Sequence, residues 1–99
     1  MSKVKRKVYQ DNELYQARLE EVNDVIFVHI EIKQMKKKTV DKLIDEFAIL
    51  KEKIKNAGYN YLHTYSATPK FYKLFKEYEE VGDMDWEDQN YKVLRWELK

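Results

Sequence analysis

The chain has 99 residues, of which 43% are hydrophobic and 14% aromatic, with 19 basic and 18 acidic side chains. This length allows one small domain with a single core, so we expect one domain over 1–99. A formal net charge of +1 gives no argument for nucleic-acid or membrane binding. The absence of cysteine excludes disulfides and thiolate zinc sites.

The first third of the sequence predicts three strands joined by short turns. Basic and apolar residues alternate over 3–9, apolar and polar residues alternate over 13–20, and 25–32 is β-branched and apolar on both faces. Asp11-Asn12 and Asn23-Asp24 are turn-forming pairs between these segments. The pattern is typical of an antiparallel meander.

The period of the apolar residues then changes from two to about 3.6, which predicts a long helix. Thr39 is placed to cap its start, and Gly58 suits its end. The apolar stripe consists of Val40, Leu43, Ile44, Phe47, Leu50, Ile54 and Ala57. Ile49 is the only clear apolar residue off this stripe, so we expect a monomer or a weak homodimer.

The second half predicts a strand over 59–65, parallel to the strand before the helix, and a short helix opening at Thr68-Pro69. The pattern then predicts a turn over 82–85 and a strand over 91–98. Whether a further short strand lies near 80–84 is left undecided by the sequence. The predicted fold is α+β, with the order β-β-β-α-β-α-β, one long and one short helix, and a mixed, mostly antiparallel twisted sheet.

Two segments resemble the GNAT acyltransferase family. Residues 71–82, from Phe71-Tyr72 to Val81-Gly82, resemble the family's FY-x-x-x-GF-x-x-VG stretch, and 93–98 resemble its closing strand. With the element order, the resemblance covers about 13–98, and small phage-encoded members have a similar layout. It implies a GNAT-like fold, with acyl-coenzyme A between the strands at 25–32 and 59–65.

The resemblance also implies site residues. Tyr72 would protonate the departing thiolate, and Glu31 or His29 would act as the base. The pyrophosphate would lie at the entrance to the long helix, on Lys36, Lys37, Lys38 and Thr39. The family uses a Q/R-x-x-G-x-G/A loop there, whose glycines let the backbone approach the phosphates, but 34–41 contains no glycine.

Each of these residues also has a purely structural interpretation. Tyr72 can pack its ring on the sheet, Glu31 and His29 can lie at a solvated strand end, and the lysines can form a solvated loop. Two histidines without a third ligand do not make a metal site.

The acidic segment near the end of the chain is the more unusual feature. Trp86 lies among Asp85, Glu87 and Asp88, where it either anchors a protein interface or folds back on the sheet.

The glycine-free loop favours a non-catalytic protein-binding module on a GNAT-like scaffold, without a cofactor. The resemblance suggests a phage or mobile-element origin and, as partner, a host defence protein or a virion component. The alternative is a minimal N-acetyltransferase that moves an acetyl group from acetyl-coenzyme A to an amine such as a protein lysine. No signal-peptide or membrane-spanning segment is evident, so we expect a cytoplasmic protein, in the host cell if phage-encoded.

Overall fold

The computed structural model describes residues 4–98, which form a six-stranded sheet and a 20-residue helix. Along the chain the elements are β1 (Val4–Asp11), β2 (Tyr15–Val22), β3 (Val25–Ile32), α1 (Lys37–Asn56), β4 (Tyr61–Ser66), a 3₁₀ helix (Pro69–Phe75), β5 (Glu79–Trp86) and β6 (Gln89–Glu97). The strand order across the sheet is β1-β2-β3-β4-β6-β5.

The first three strands form the predicted antiparallel meander. Asn23 and Asp24, with φ of 50° and 67°, make the two-residue turn between β2 and β3. A turn with both central residues at positive φ matches the right-handed twist of the flanking strands, and Asn and Asp tolerate that conformation.

The long helix is confirmed, but it begins three residues earlier than predicted and Thr39 does not cap it. Lys36 is the N-cap residue and makes no side-chain cap. Thr39 is fully buried, and its hydroxyl donates to the carbonyl oxygen of Gln34 at 2.7 Å. Gly58 follows the helix end at φ 100°, a conformation that favours glycine.

One core lies between α1 and one face of the sheet. Phe47 of α1 stacks on Phe75 of the 3₁₀ helix at 4.1 Å between ring centroids, and it meets Trp96 of β6 edge-on at 4.7 Å. The buried apolar residues are Tyr15, Ala17, Ile26, Val28, Leu43, Phe47, Leu50, Ile54, Leu62, Tyr72, Phe75, Leu94 and Trp96. Burial of each large side chain stabilises the fold by about 1.5–3 kcal/mol.

The chain crosses over through α1 and returns in β4 parallel to β3, as predicted. The next prediction is wrong, because 69–75 is a 3₁₀ helix and no second α-helix occurs within residues 4–98. Lys76 and Glu77 then have φ of 39° and 60°, which ends the helical run. The indole N–H of Trp96 donates to the carbonyl oxygen of Lys76 at 3.0 Å and fixes this bend on the core.

The predicted turn at 82–85 is also wrong, because these residues lie inside the eight-residue strand β5. Gly82 marks a register shift in the pairing with β6, where a glycine often accompanies a bulge. The order is therefore three strands, α1, β4, the 3₁₀ helix and two more strands. This strand-rich arrangement corrects the GNAT-like order β-β-β-α-β-α-β.

Candidate functional site

Both helical elements pack into the core on one face of the sheet, so no element of residues 4–98 covers the other face, which we call the open face. One side chain from each strand forms a continuous row straight across it. In strand order this central row is Arg6, Glu20, Phe27, His63, Arg95 and Glu79. The open face is therefore charged at both flanks and aromatic in the middle.

The middle of the open face is a cluster of aromatic rings on β3 and β4. His29 and Tyr65 meet edge-on with ring centroids 4.5 Å apart. Phe27 lies 5.6 Å from His63 and 5.7 Å from Tyr65. Tyr91 of β6 extends the cluster, 6.0 Å from Tyr65. Aromatic rings on a solvated sheet face are typical of a binding surface, because aromatic side chains contribute most to binding when a partner buries them.

Each flank of the open face holds one ion pair between neighbouring strands. Arg6 Nε donates to a carboxylate oxygen of Glu20 at 2.9 Å, between β1 and β2. Arg95 Nε donates to Glu79 at 2.5 Å, between β6 and β5, and the Arg95 guanidinium lies 4.3 Å from the ring centre of Tyr61. These exposed pairs contribute little to stability by themselves, but they fix where each charge lies.

The two histidines of the open face are held in their neutral form. Burial lowers the pKa of His29 below its usual 6.5, although Glu20, 3.6 Å away, acts in the opposite direction. Burial and the nearby Arg95 guanidinium lower the pKa of His63. His29 Nε2 and His63 Nδ1 are buried without a hydrogen-bond partner within residues 4–98. At neutral pH both rings act as aromatic surface.

The end of the β5–β6 hairpin projects beyond the sheet. Pairing of β4 with β6 stops at Ser66↔Lys92, whereas β5 and β6 stay paired as far as Trp86↔Gln89. Residues 84–91, which we call the hairpin arm, are therefore a two-stranded ribbon without a third strand. Glu87 and Asp88, with φ of 51° and 64°, make its turn.

The hairpin arm combines exposed apolar surface with negative charge. Trp86 is 59% exposed, so of the two predicted positions it takes the one away from the core. Asp85 accepts a hydrogen bond from the Asn90 side chain at 2.9 Å, whereas Glu87 and Asp88 form no ion pair with any described residue. The structure thus brings together the four residues predicted to bind a partner.

The residues predicted to act in catalysis are not brought together. Tyr72 is 4% exposed on the helix side of the sheet, with its hydroxyl 3.4 Å from that of Thr64. Burial raises the pKa of Tyr72. His29 and Glu31 alternate with core residues on β3 and point to the open face. The sheet therefore separates the proposed acid from both proposed bases.

The residues predicted to hold a pyrophosphate are only partly available to it. Lys36, Lys37 and Lys38 are exposed where the chain enters α1. Thr39 is fully buried, and its hydroxyl is already bonded to Gln34. The three lysines offer positive charge at this place without the close backbone approach that a diphosphate requires.

Residues 4–98 contain neither a metal-binding cluster nor a membrane-spanning helix. No group of three His, Asp or Glu side chains there is arranged to hold a metal ion. No helix in this part of the chain has the length and hydropathy needed to cross a membrane.

The central row was missed by the sequence analysis because it depends on the register of five strand pairs. Its signal was present locally: Phe27 and His29, and likewise His63 and Tyr65, are aromatic residues two positions apart on strands predicted to be neighbours. Such spacing places both on one face, but only the pairing shows that arginines and glutamates flank them.

Comparisons with protein-family models, with curated proteins and with solved structures found no match. The relationship to the GNAT family therefore stays a prediction from the sequence.

Proposed function

We propose that this protein is a binding module that docks on another protein through the hairpin arm, without a cofactor. The observation that carries the proposal is Trp86, 59% exposed at the end of a ribbon that projects from the sheet. Trp is one of the three residue types enriched among the few that dominate binding energy at protein interfaces. An exposed Trp on a projecting ribbon is therefore placed to enter a cleft of a partner.

The shape of the hairpin arm supports this proposal. A two-stranded hairpin alone is marginally stable in water, because neither of its faces is covered. All eight residues of β5 are exposed, so the arm draws little stability from the core. A partner that covers Trp86 and Met84 would supply the missing apolar contact.

The charge of the hairpin arm indicates the chemistry of the partner. Residues 84–91 contain Asp85, Glu87 and Asp88 and no basic side chain. Lys92, at the base of the arm, already lies 3.4 Å from Asp83 and 3.6 Å from Glu80. A basic protein surface with an apolar cleft fits this arm best. The partners suggested by the sequence, a host defence protein or a virion component, are candidates for such a surface.

The test is capture of partner proteins from a cell lysate by the immobilised full chain. We expect Trp86→Ala to weaken binding of the captured protein by about 30-fold, since a buried Trp anchor contributes about 2 kcal/mol or more. Ile49→Ala is the matched control, because Ile49 is 49% exposed on α1, away from the arm. It should bind as the wild type does.

A second arm of the test concerns charge. Glu87→Gln with Asp88→Asn should slow association and make it less dependent on salt, because rim charges act mainly on the association rate. Equal capture by wild type and Trp86→Ala, with both chains folded by circular dichroism, would refute the proposed use of the arm.

A further inference from the structure

We propose that the open face is the interface of a symmetric homodimer, in which the sheets of two copies of this chain pack face to face. The proposal is argued from the central row and from the row of Val8, Arg18, His29, Tyr65 and Val93 beside it, none of which lies in the hairpin arm. It therefore stands or falls independently of the proposed function.

The charge pattern of the central row carries the proposal. From β1 to β5, in spatial order, the row is positive, negative, aromatic, aromatic, positive and negative. Read in the opposite direction, every charge changes sign while the two aromatic positions stay aromatic. A surface with this property is complementary to a copy of itself that has been turned over.

The symmetry operation that produces this complementarity is a two-fold rotation about an axis that runs parallel to the strands, between β3 and β4. It places β1 of one copy over β5 of the other and β2 over β6. Arg6 then faces Glu79 of the second copy, and Glu20 faces its Arg95. Phe27 faces the second copy's His63, and symmetry repeats each contact, as in any isologous interface.

A two-fold axis perpendicular to the strands gives the opposite result. It would place each strand over the same strand of the second copy, so that Arg6 would face Arg6 and Glu79 would face Glu79. Like charges facing each other across an interface oppose association and lower the affinity. The charge pattern thus selects one of the two ways in which the sheets can stack with their strands aligned.

The row on one side of the central row agrees with the same axis at its aromatic centre, whereas its Arg18 would face Val93 of the second copy. It contains Val8, Arg18, His29, Tyr65 and Val93. The rotation places His29 over Tyr65 of the second copy, so that both aromatic rows meet in the middle. The aromatic centre would be buried, and the ion pairs would surround it. A protein interface with an apolar core and a polar rim has this arrangement.

The size of the open face predicts a weak, reversible dimer. Strands about 4.8 Å apart, over about 20 Å of their length, give a flat area on the order of 500 Å² per copy for six strands. Two copies would bury roughly 1,000 Å², which is near the lower limit for a specific interface. We therefore expect a dissociation constant on the order of tens of micromolar.

The test exchanges charges within one flank at a time. In the first variant, Glu79→Arg is combined with Arg95→Glu, which keeps the ion pair within each copy but reverses its direction. In the second variant, Arg6→Glu is combined with Glu20→Arg. Each variant now places like charges opposite each other in its own dimer. Its dissociation constant should rise by about tenfold or more relative to the wild type.

The decisive sample is an equimolar mixture of the two variants. In a mixed dimer, the reversed pair of one variant faces the reversed pair of the other, and the two unchanged pairs face each other. All four contacts are then between opposite charges. Sedimentation velocity from about 10 µM to 1 mM should therefore show dimers for the wild type and for the mixture, but monomers for each variant alone over most of this range. Circular dichroism checks that each chain folds.

Several results would overturn the proposal. One is a wild type that sediments as a monomer up to 1 mM, which leaves the open face to a different molecule. Others are a variant that dimerises as tightly as the wild type and a mixture that stays monomeric. Growth beyond two copies would indicate edge-to-edge pairing of strands instead. If the first variant fails to fold, the second alone still decides, because Arg6 is exposed on an edge strand.

Discussion

His29 and His63 are the residues through which pH acts on the open face. Both have a pKa below the usual 6.5 in the folded chain, chiefly because burial disfavours the charged ring. The groups that face them are Glu20, Arg6 and Arg18 around His29, and Arg95 and the Ile26 backbone around His63. Glu20 favours the imidazolium form of His29, whereas the arginines oppose protonation of both rings.

This lowered pKa makes stability depend on pH in a definite direction. Well above pH 6.5 neither state binds the proton, so titration of the histidines does not change the free energy of unfolding there. Below it the unfolded chain takes up protons that the folded chain resists, so the free energy of unfolding falls with pH. Urea unfolding at pH 7.5, 6.5 and 5.5 should show this loss, and His29→Phe with His63→Phe should reduce it. An unchanged pH dependence in that variant would contradict the account.

At the scale of single elements, the sequence predicts the structure correctly where the pattern lies within one segment of the chain. The apolar stripe of α1 and the turn pair Asn23-Asp24 need no distant partner to be recognised. Phe71, Leu74 and Phe75 have the spacing of an α-helix, which predicts an α-helix over this segment. The 69–75 segment is a 3₁₀ helix instead, and this conformation brings Phe75 onto Phe47 equally well. Tertiary packing decided between the two.

The β5–β6 hairpin shows the same limit at its turn. The glycine at position 82 predicts a turn, but Gly82 accompanies a register shift inside β5. The turn itself is made by Glu87 and Asp88. Glutamate is a poor residue for positive φ, because its Cβ crowds the following carbonyl oxygen. Glu87-Asp88 is therefore a weak turn signal at the position where the chain reverses.

This turn offers a direct prediction. Glu87→Asn with Asp88→Gly should raise the free energy of unfolding by about 0.5–1 kcal/mol, because both residues suit the left-handed conformation. Glu87→Gln is the control, since it removes the charge but keeps the poor turn residue, and it should have a smaller effect. Urea unfolding measures both. If the double variant is less stable than the wild type, the turn has been assigned incorrectly.

At the scale of the whole molecule, a net charge of +1 conceals an ordered distribution of charge. One edge strand, β1, carries Lys5, Arg6 and Lys7, and the other edge strand, β5, carries four carboxylates. Like charges along each edge prevent β1 from pairing with β1 and β5 with β5 of another copy. The same separation of charge makes the open face complementary to itself.

The candidate site was predictable from the sequence only in part. Trp86 and its acidic neighbours were recognisable because they adjoin along the chain. The central row was not, since its six residues lie on six strands and meet only through the register of the sheet. For the same reason the sequence does not reveal that Tyr72 and Glu31 lie on opposite sides of the sheet.

The central claim is that a second copy covers the open face, and oxidative footprinting by mass spectrometry tests it most directly. Hydroxyl radicals modify exposed side chains, so a covered side chain reacts more slowly. As the chain concentration rises from about 1 µM to 500 µM, across the expected dissociation constant, the oxidation rates of Phe27 and Tyr65 should fall. Met35, 60% exposed in the loop before α1, should react at a constant rate and is the internal control. Rates at Phe27 and Tyr65 that stay constant over the same range would contradict the account.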